Sequence, residues 1–251
     1  MSLYFSRIKL TNWRNFKAAD LELTQRLFLV GPNATGKTNF LEVFRFLRDL
    51  VTEGGGLGAA VRTKHGIARL RSVYARSNPE IGIRVELSDV ASLEPVWRYE
   101  IQFAGAGKSG LLKLARERVH RWNSGRWEIV LDRPDAADKA DSPRLEQAAI
   151  SQTSANVQFR EVADLFRSVA YLHLVPQLVR EGALAPPTGI GVDPYGRDLL
   201  ERIRATSARR APRCFASSPA AQGSFSRSTS PKTRTHFAAF LNRAAQVSAL
   251  S

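Results

Sequence analysis

The chain has 251 residues, of which 43% are hydrophobic and 24% charged, a balance typical of a globular protein with room for one sizeable α/β domain. Its single cysteine, Cys214, excludes a disulfide framework, and without 18 consecutive apolar residues or a secretory signal pattern we expect a cytoplasmic protein that makes no membrane span. The formal net charge of +14 favours polyanionic partners through counterion release, but it does not identify a substrate.

The N-terminal region predicts two strands, a short apolar strand and a helix, in that order. Alternating apolar and polar residues predict strands at Leu3–Leu10 and Ala18–Leu23, joined by a turn at Asn12–Asn15. Leu27–Val30 is a fully apolar run, which favours a buried parallel strand. Asn39–Leu50 has apolar residues at three- and four-residue spacing and therefore predicts a largely buried amphipathic helix.

Between the apolar run and that helix, the sequence fits the P-loop pattern G-x-x-x-x-G-K-[ST] at every fixed position. The residues are Gly31, Pro32, Asn33, Ala34, Thr35, Gly36, Lys37 and Thr38. Glycines let such a loop curl so that backbone N–H groups point at phosphate oxygens, and the following helix adds partial positive charge. Lys37 is expected to reach the β- and γ-phosphates, and the Thr38 hydroxyl to coordinate Mg²⁺. The motif thus predicts a site for ATP and Mg²⁺, and a chance glycine turn is disfavoured by the strand and helix around it.

The middle of the chain, residues 80–150, is expected to form a β-rich subdomain. Strands are indicated at Ile81–Leu87, Val96–Phe103 and Trp127–Leu131, and the last of them follows Asn123-Ser124-Gly125, which predicts a hairpin turn. Leu111–Trp122 fits a strand and a helix equally well, and the polar stretch Asp132–Ser142 predicts a surface loop.

Two short sequences in this region imitate nucleotide-binding motifs. Gly105–Gly110 spells G-x-G-x-x-G and ends like a P-loop, but Gln102 stands where a P-loop requires its first glycine, so a hairpin loop is favoured. Ile129–Asp132 resembles the apolar run and aspartate of a Walker B strand. Because Arg133 and Pro134 follow, instead of a glutamate that would orient water, a hairpin strand is the preferred interpretation.

Towards the C-terminus the sequence predicts a helix at Phe159–Val169, a strand at Tyr171–Val175 and the start of a helix at Asp198–Ile203. Residues 205–251 have a different composition, with seven basic and no acidic residues among many Ala, Ser and Pro. This tail is interpreted either as a disordered basic arm or as a non-native end from out-of-frame translation of a GC-rich gene. The predicted domains are therefore a P-loop ATPase core at residues 1–204 and the basic tail.

The opening strand and the P-loop together resemble the RecF/SMC branch of ABC-type ATPases. The likeness is carried by IKLTNWRNF at Ile8–Phe16 and FLVGPNATGKTNFLE at Phe28–Glu42. In that branch the opening strand ends in an aromatic-Arg-Asn-Phe turn, and the P-loop continues into Asn and Leu-Glu. The segments FREVADLFRSVAYLHLVPQLVRE and DPYGRDLLERI are similar to a bacterial group of AAA-type, RecF-like ATPases, which extends the likeness over roughly residues 3 to 204.

The resemblance implies an α/β P-loop NTPase fold, the N-terminal part of an ABC/RecF-like ATPase head with an antiparallel β-subdomain. It also implies nucleotide contacts from Gly31–Thr38, from Asn39 and from Arg14, although a surface arginine on a hairpin explains Arg14 equally well. Members of the branch dimerise around two ATP molecules and act on DNA or with a partner nuclease, in DNA repair or phage defence. ATP binding closes such a dimer and hydrolysis reopens it.

The second half departs from that branch. An ABC signature, a Walker B strand ending in Asp-Glu and a switch histidine are expected there, and the sequence contains none of them. We therefore expect a truncated or frame-shifted member that binds ATP but hydrolyses it poorly, and the catalytic residues stay unknown.

Two other functions remain open at this point. A small-molecule or nucleotide kinase would use the same loop, with the basic stretch Arg62–Arg76 as a lid, but no acidic acceptor base stands out. A nucleic-acid-binding module with a vestigial ATP site would use Arg62–Arg76 and the tail as its footprint. A solvated basic face is the simpler interpretation of that stretch, because no aromatic stacking pattern is interleaved with it.

Overall fold

A computed structural model of the chain describes residues 2–75, 80–106, 111–181 and 195–197. The described residues divide into two compact units, the first up to Val169 and the second from Ala170. All strands of the described residues belong to the first unit, and the predicted helix at Asp198–Ile203 and the tail after residue 204 lie outside the described residues.

Six strands of the first unit form one antiparallel sheet in the order β2-β1-β3-β4-β5-β6. Their bounds are β1 Leu3–Trp13, β2 Phe16–Glu22, β3 Ile81–Asp89, β4 Pro95–Ala106, β5 Leu111–Asn123 and β6 Arg126–Arg133. Because β1 pairs with both β2 and β3, the two opening strands belong to the same sheet as the β-rich middle of the chain. The period-two alternation of these strands gives the sheet one apolar and one polar face.

The α-helices of the first unit are α1 Lys37–Val51, α2 Leu57–Arg62, α3 Ile67–Leu70, α4 Ala136–Ala140 and α5 Arg160–Ser168, and the second unit contains α6 Pro176–Glu181. Of these helices, α1 and α5 cover the apolar face of the sheet. Phe46 of α1 packs between Trp13 and Phe103, with ring centroids 5.3 and 5.4 Å away. Phe166 of α5 packs on Tyr99 at 5.4 Å. These aromatic contacts between helix and sheet form the centre of the core, as the apolar spacing of the helix at Asn39–Leu50 predicts.

The polar face of the sheet, opposite α1 and α5, carries charges that neutralise each other across neighbouring strands. Four such pairs have N–O distances of 3.2 Å or less, namely Arg7–Asp20, Arg84–Glu100, Arg98–Glu86 and Arg118–Asp132. Opposite charges on adjacent strands stabilise a sheet modestly, by about 0.2–1 kcal/mol per pair. Asp132, the residue that imitates a Walker B aspartate, is therefore a cross-strand ion-pair partner on the edge strand β6.

A buried charged network attaches the segment after β6 to the sheet, so the predicted surface loop at Asp132–Ser142 is only partly correct. Glu117 is fully buried and accepts hydrogen bonds from the Tyr99 hydroxyl at 3.1 Å and from two backbone N–H groups, those of Ala149 and Ile150. Arg133 bonds Glu117 at 3.3 Å and Asp138 at 2.8 Å. The segment contains α4, and Arg133 and Asp138 are buried because they pair with each other, whereas Asp132 and Lys139 are exposed.

Several sequence predictions for the strands are confirmed. The ambiguous segment Leu111–Trp122 is strand β5, which pairs with β6 through the turn at Ser124 and Gly125. Both turn residues have positive φ, 48° and 90°, as a two-residue hairpin of the Asn-Gly kind requires. The flanks of Gly105–Gly110 also pair as a hairpin, and residues 107–110 lie outside the described residues.

Two predicted strands are wrong. Leu27–Val30 has no regular secondary structure and pairs with no described strand, and Phe28 and Val30 are 84% and 94% exposed. A buried parallel strand needs parallel neighbours, whereas every strand pair of the described residues is antiparallel. Tyr171–Val175, in the second unit, is likewise not a strand and leads directly into α6.

Candidate nucleotide-binding site

The candidate site is the loop Gly31–Thr38, which ends in the first turn of α1. Ala34 and Gly36 both have positive φ, 65° and 99°, so the backbone curls sharply just before the helix. No side chain caps α1, and its first turn contains no acidic residue. The N–H groups at this helix end are therefore left without a capping side chain and carry partial positive charge, which is the arrangement that favours an anion.

Gly36 is the residue whose conformation and packing leave no room for a side chain. A Cβ atom at this position would lie 2.3 Å from Asn15 Nδ2. The second glycine of the motif is thus required both for its left-handed backbone and for the close approach of the turn between β1 and β2. Of the other loop residues, Pro32, Asn33, Ala34, Thr35 and Thr38 are exposed, and Gly31, Lys37 and Asn39 are half-buried.

Lys37 folds back onto its own loop. Its Nζ donates hydrogen bonds to the carbonyl oxygens of Gly31 at 2.7 Å and Pro32 at 2.5 Å. The Thr35 hydroxyl also donates to Pro32, at 2.9 Å. The ammonium group therefore lies within the curl of the loop, where its acceptors are two neutral carbonyl oxygens. Negatively charged phosphate oxygens would form stronger hydrogen bonds with it than these carbonyl groups do.

The turn between β1 and β2 holds the start of α1 in place. Trp13 Nε1 donates to the carbonyl oxygen of Asn39 at 2.8 Å, and Asn39 Nδ2 donates to Asn15 Oδ1 at 2.9 Å. The Asn39 side chain, which the resemblance assigns to the nucleotide, is engaged by this turn. Asn15 has no role in the sequence prediction, although it lies within the quoted Trp-Arg-Asn-Phe motif.

Arg14, the other predicted nucleotide contact, points towards α1. Its Nη2 lies 3.8 Å from Glu42 Oε2, its backbone N donates to the Leu70 carbonyl at 2.6 Å, and its Nε is buried without a hydrogen-bond partner. Glu42 also pairs with Lys64 at 2.8 Å and Arg45 at 3.2 Å. The structure thus brings Arg14 next to the P-loop helix, within a cluster in which three cations share one carboxylate.

The pKa values in this cluster are set by burial and pairing together. Burial raises the pKa of Glu42, but the hydrogen bond and charge of Lys64 and the charges of Arg45 and Arg14 lower it by more. The pKa of Glu42 is therefore below its usual value. Burial lowers the pKa of Lys64, and Glu42 opposes this only in part. Lys64 is 3% exposed at its side chain, so sequence reasoning that counted it in a basic surface stretch missed its place in the interior.

The described residues add no further metal ligand to Thr38, the predicted ligand of Mg²⁺. Among the described residues, no group of three His, Cys, Asp or Glu side chains is arranged to hold a metal ion. No helix in the described ranges is long and apolar enough to cross a membrane.

Comparison with known proteins gives one family and several relatives. The family model described as "AAA domain, putative AbiEii toxin, Type IV TA system" matches residues 27–170, more than half of the chain. The DNA replication and repair protein RecF of Agrobacterium fabrum is 49% identical over 57 residues, which cover 22% of this chain and 14% of that protein. RecF of Rhizobium rhizogenes is 34% identical over 96 residues, which cover 35% and 24%.

A third relative is Endonuclease GajA of Bacillus cereus, 35% identical over 65 residues that cover 26% of this chain and 11% of the endonuclease. The chain therefore spans about a quarter or less of the length of these curated relatives. A solved structure of the recombination mediator protein RecF-ATP in the RecFOR pathway covers 47% of this chain and 27% of its own, with 22% identity and a TM-score of 0.31. A structure from work on ATP-driven dimerization of SMC ATPases covers 50% and 72%, with 12% identity and a TM-score of 0.28.

Proposed function

Because the chain belongs to the family described as "AAA domain, putative AbiEii toxin, Type IV TA system" and is RecF-like, we propose that it binds ATP with Mg²⁺ at Gly31–Thr38. The observation that carries the proposal is the P-loop sequence lying at the uncapped N-terminus of α1, with Lys37 inside the curl. A triphosphate supplies acceptors for these N–H groups, and it offers the ammonium charged acceptors in place of two neutral carbonyl oxygens.

The residues fit this ligand in separate ways. The backbone N–H groups of the loop bind phosphate oxygens, and Lys37 exchanges its two carbonyl acceptors for the β- and γ-phosphates. The exposed Thr38 hydroxyl is available to Mg²⁺, which neutralises phosphate charge when bound. Asn39 contributes by holding the helix start against the turn, and Arg14 supplies a second cation close to the loop if its weak contact with Glu42 opens.

We further propose that nucleotide binding acts as a conformational switch more than as a metabolic reaction. The described residues contain no group of three His, Cys, Asp or Glu side chains arranged to hold a metal ion, and in the sequence Arg133 follows Asp132 where a Walker B glutamate would stand, so we expect slow turnover by this chain. By analogy with the RecF and endonuclease relatives, the switch serves DNA repair or phage defence in the cytoplasm, as an ATP-dependent homodimer that acts on DNA or with a partner nuclease.

The test is nucleotide binding by the Lys37→Ala variant. A fluorescent ATP analogue titrated in the presence of Mg²⁺ is expected to bind the variant at least about tenfold more weakly, because a charge-assisted contact worth about 1.5–3 kcal/mol is lost. Lys139→Ala, which removes an exposed lysine from α4, is the matched control and is expected to bind like the parent chain. Equal affinity of the Lys37 and Lys139 variants would refute the site.

Hydrolysis is tested with the same proteins. Phosphate release by the parent chain is expected to be indistinguishable from that of Lys37→Ala. Robust turnover that depends on Lys37 would contradict the proposed switch and would require a catalytic carboxylate outside the described residues.

A further inference from the structure

The stretch Gly54–Pro79 contains no Asp or Glu, and the structure separates its basic residues into two groups. Lys64 is buried and bonded to Glu42 at 2.8 Å, so it belongs to the interior. Arg62 at the end of α2, Arg69 in α3 and Arg71 just after it are exposed, and these three residues form what we name the α2–α3 basic surface.

No acidic residue lies in this stretch of the sequence to compensate the three arginines. None of these three arginines has an acidic partner within ion-pair distance among residues 2–75, 80–106 and 111–181. On the polar face of the sheet, by contrast, four arginines are paired with acids, as in Arg7–Asp20 and Arg118–Asp132. A concavity of about 180 Å³ on that face is lined by both signs: Arg7, Lys9, Asp20, Arg84, Glu86 and Arg98. Charge that is not neutralised internally is the charge available to a polyanion.

Exposed apolar side chains lie next to the same arginines. Val73 and Tyr74 are 83% and 65% exposed, while Leu70 and Ser72 are buried. Arg71, which forms an isolated bridge with Trp13, and Val73 are exposed on either side of the buried Ser72. Arginine and tyrosine side chains both contact the phosphates and sugars of DNA, so an exposed Tyr74 three residues after Arg71 suits DNA better than a small inorganic anion.

The segment is held in a fixed position relative to the P-loop. The Leu70 carbonyl accepts from the backbone N of Arg14 at 2.6 Å, and the backbone N of Ser72 donates to the Asn12 carbonyl at 2.9 Å. The same turn, through Asn15, contacts Gly36 of the P-loop. The arginines are therefore presented by a segment that is hydrogen-bonded to the element bracing the nucleotide loop.

We infer that the α2–α3 basic surface binds the phosphate backbone of duplex DNA, independently of base sequence. Arg62, Arg69 and Arg71 each contact phosphate oxygens, and Tyr74 packs against the sugar–phosphate edge. The inference rests on the proposed function in that it locates the nucleic-acid partner of the ATP switch, but DNA binding at this surface does not itself require nucleotide.

The experiment compares two double variants of equal net charge in the full chain. Arg69→Ala/Arg71→Ala removes two uncompensated cations, and Arg7→Ala/Arg118→Ala removes two cations that are paired with acids. Anisotropy of a short fluorescein-labelled duplex is titrated at several salt concentrations, without nucleotide. The basic residues after position 204 are present in every protein and contribute equally to each.

For Arg69→Ala/Arg71→Ala we expect roughly tenfold weaker duplex binding. The slope of log affinity against log salt concentration should also be smaller in magnitude by about two, since each phosphate contact contributes about 0.9 to that slope. The Arg7/Arg118 control is expected to keep the parent slope. Equal losses in both double variants would reduce the effect to net charge and overturn the inference. Circular dichroism melting verifies that both variants are folded.

Two further measurements separate other outcomes. If the parent chain binds vesicles containing phosphatidylserine through these arginines but does not bind the duplex, the surface contacts membranes and the inference is overturned. If Arg69→Ala/Arg71→Ala weakens the ATP analogue instead of the duplex, the arginines belong to the nucleotide site and the inference is again overturned. Failure of the proposed function would give a different result. In that case Lys37→Ala would bind the ATP analogue as well as the parent chain does, while the parent chain would still bind the duplex.

Discussion

Replacing Gly36 by alanine tests whether the turn between β1 and β2 braces the P-loop. The substitution imposes a left-handed conformation on a residue with a Cβ atom, which costs about 1–2 kcal/mol, partly offset by about 0.4–1 kcal/mol from the stiffer unfolded chain. The new Cβ would also lie 2.3 Å from Asn15 Nδ2, so the Asn15 side chain must move and its hydrogen bond from Asn39 is lost. That loss adds about 1 kcal/mol.

Gly54→Ala is the matched control, because Gly54 also has positive φ, 68°, but a Cβ there meets nothing within 4 Å. The free energy of unfolding, measured by urea denaturation, is expected to fall by about 1 kcal/mol more for Gly36→Ala than for Gly54→Ala. Truncating Asn15 to alanine removes the obstructing group, so the Asn15/Gly36 double variant should cost less than the sum of the single variants. Equal effects at the two glycines, together with additive costs in the double variant, would refute the bracing role of Asn15.

Three further predictions concern the core and the charged interior. Phe46→Ala is expected to lower the free energy of unfolding by about 3–5 kcal/mol, because the ring is fully buried between two aromatic residues. Phe28→Ala, which removes an 84% exposed ring, should change that free energy little. Urea denaturation measures both variants, and similar losses would contradict the described core. Lys64→Ala is expected to cost about 3 kcal/mol, since it leaves two carboxylates without their buried cation, and a loss below about 1 kcal/mol would show that the lysine is solvated. Hydrogen bonding from Arg133 holds the pKa of Asp138 far below its usual value. The carboxylate therefore contributes its full stabilisation above the unfolded-state pKa near 3.9, and this stabilisation is lost as the pH falls from there towards the lower pKa of the folded state. Asp138→Asn should make the free energy of unfolding depend less on pH in this acidic range, and an unchanged pH dependence would exclude Asp138 as its source.

The elements that depend on neighbouring residues could be predicted from the sequence. Apolar spacing predicts α1, alternation predicts β3, β4 and β6, and an Asn-Ser-Gly turn predicts the hairpin of β5 and β6. The P-loop residues were also identifiable, because their spacing is a local property of the loop. The Walker B likeness at Ile129–Asp132 was correctly set aside, since the residues that follow it are wrong for the chemistry.

The predictions that failed are those that depend on distant partners. Leu27–Val30 has the composition of a buried parallel strand, but composition does not supply the parallel neighbours that would bury it. Lys64 belongs to a basic stretch by sequence, yet it is buried because the carboxylates of Glu42 and Asp49 lie beside it. Nothing in the local sequence distinguishes it from the exposed Arg62 two positions earlier.

The sequence by itself determined α1, strands β1, β2, β3, β4 and β6, and the position of the P-loop motif, because backbone preference and periodicity act between residues a few positions apart. Only the tertiary structure decided which charges are neutralised inside the fold and which remain on the α2–α3 basic surface. It also decided that Asn15 packs against Gly36, a contact between residues far apart in the chain. Such pairings depend on how the sheet and α1 close on each other, since a charge or an amide has a defined role only once its partner is in place.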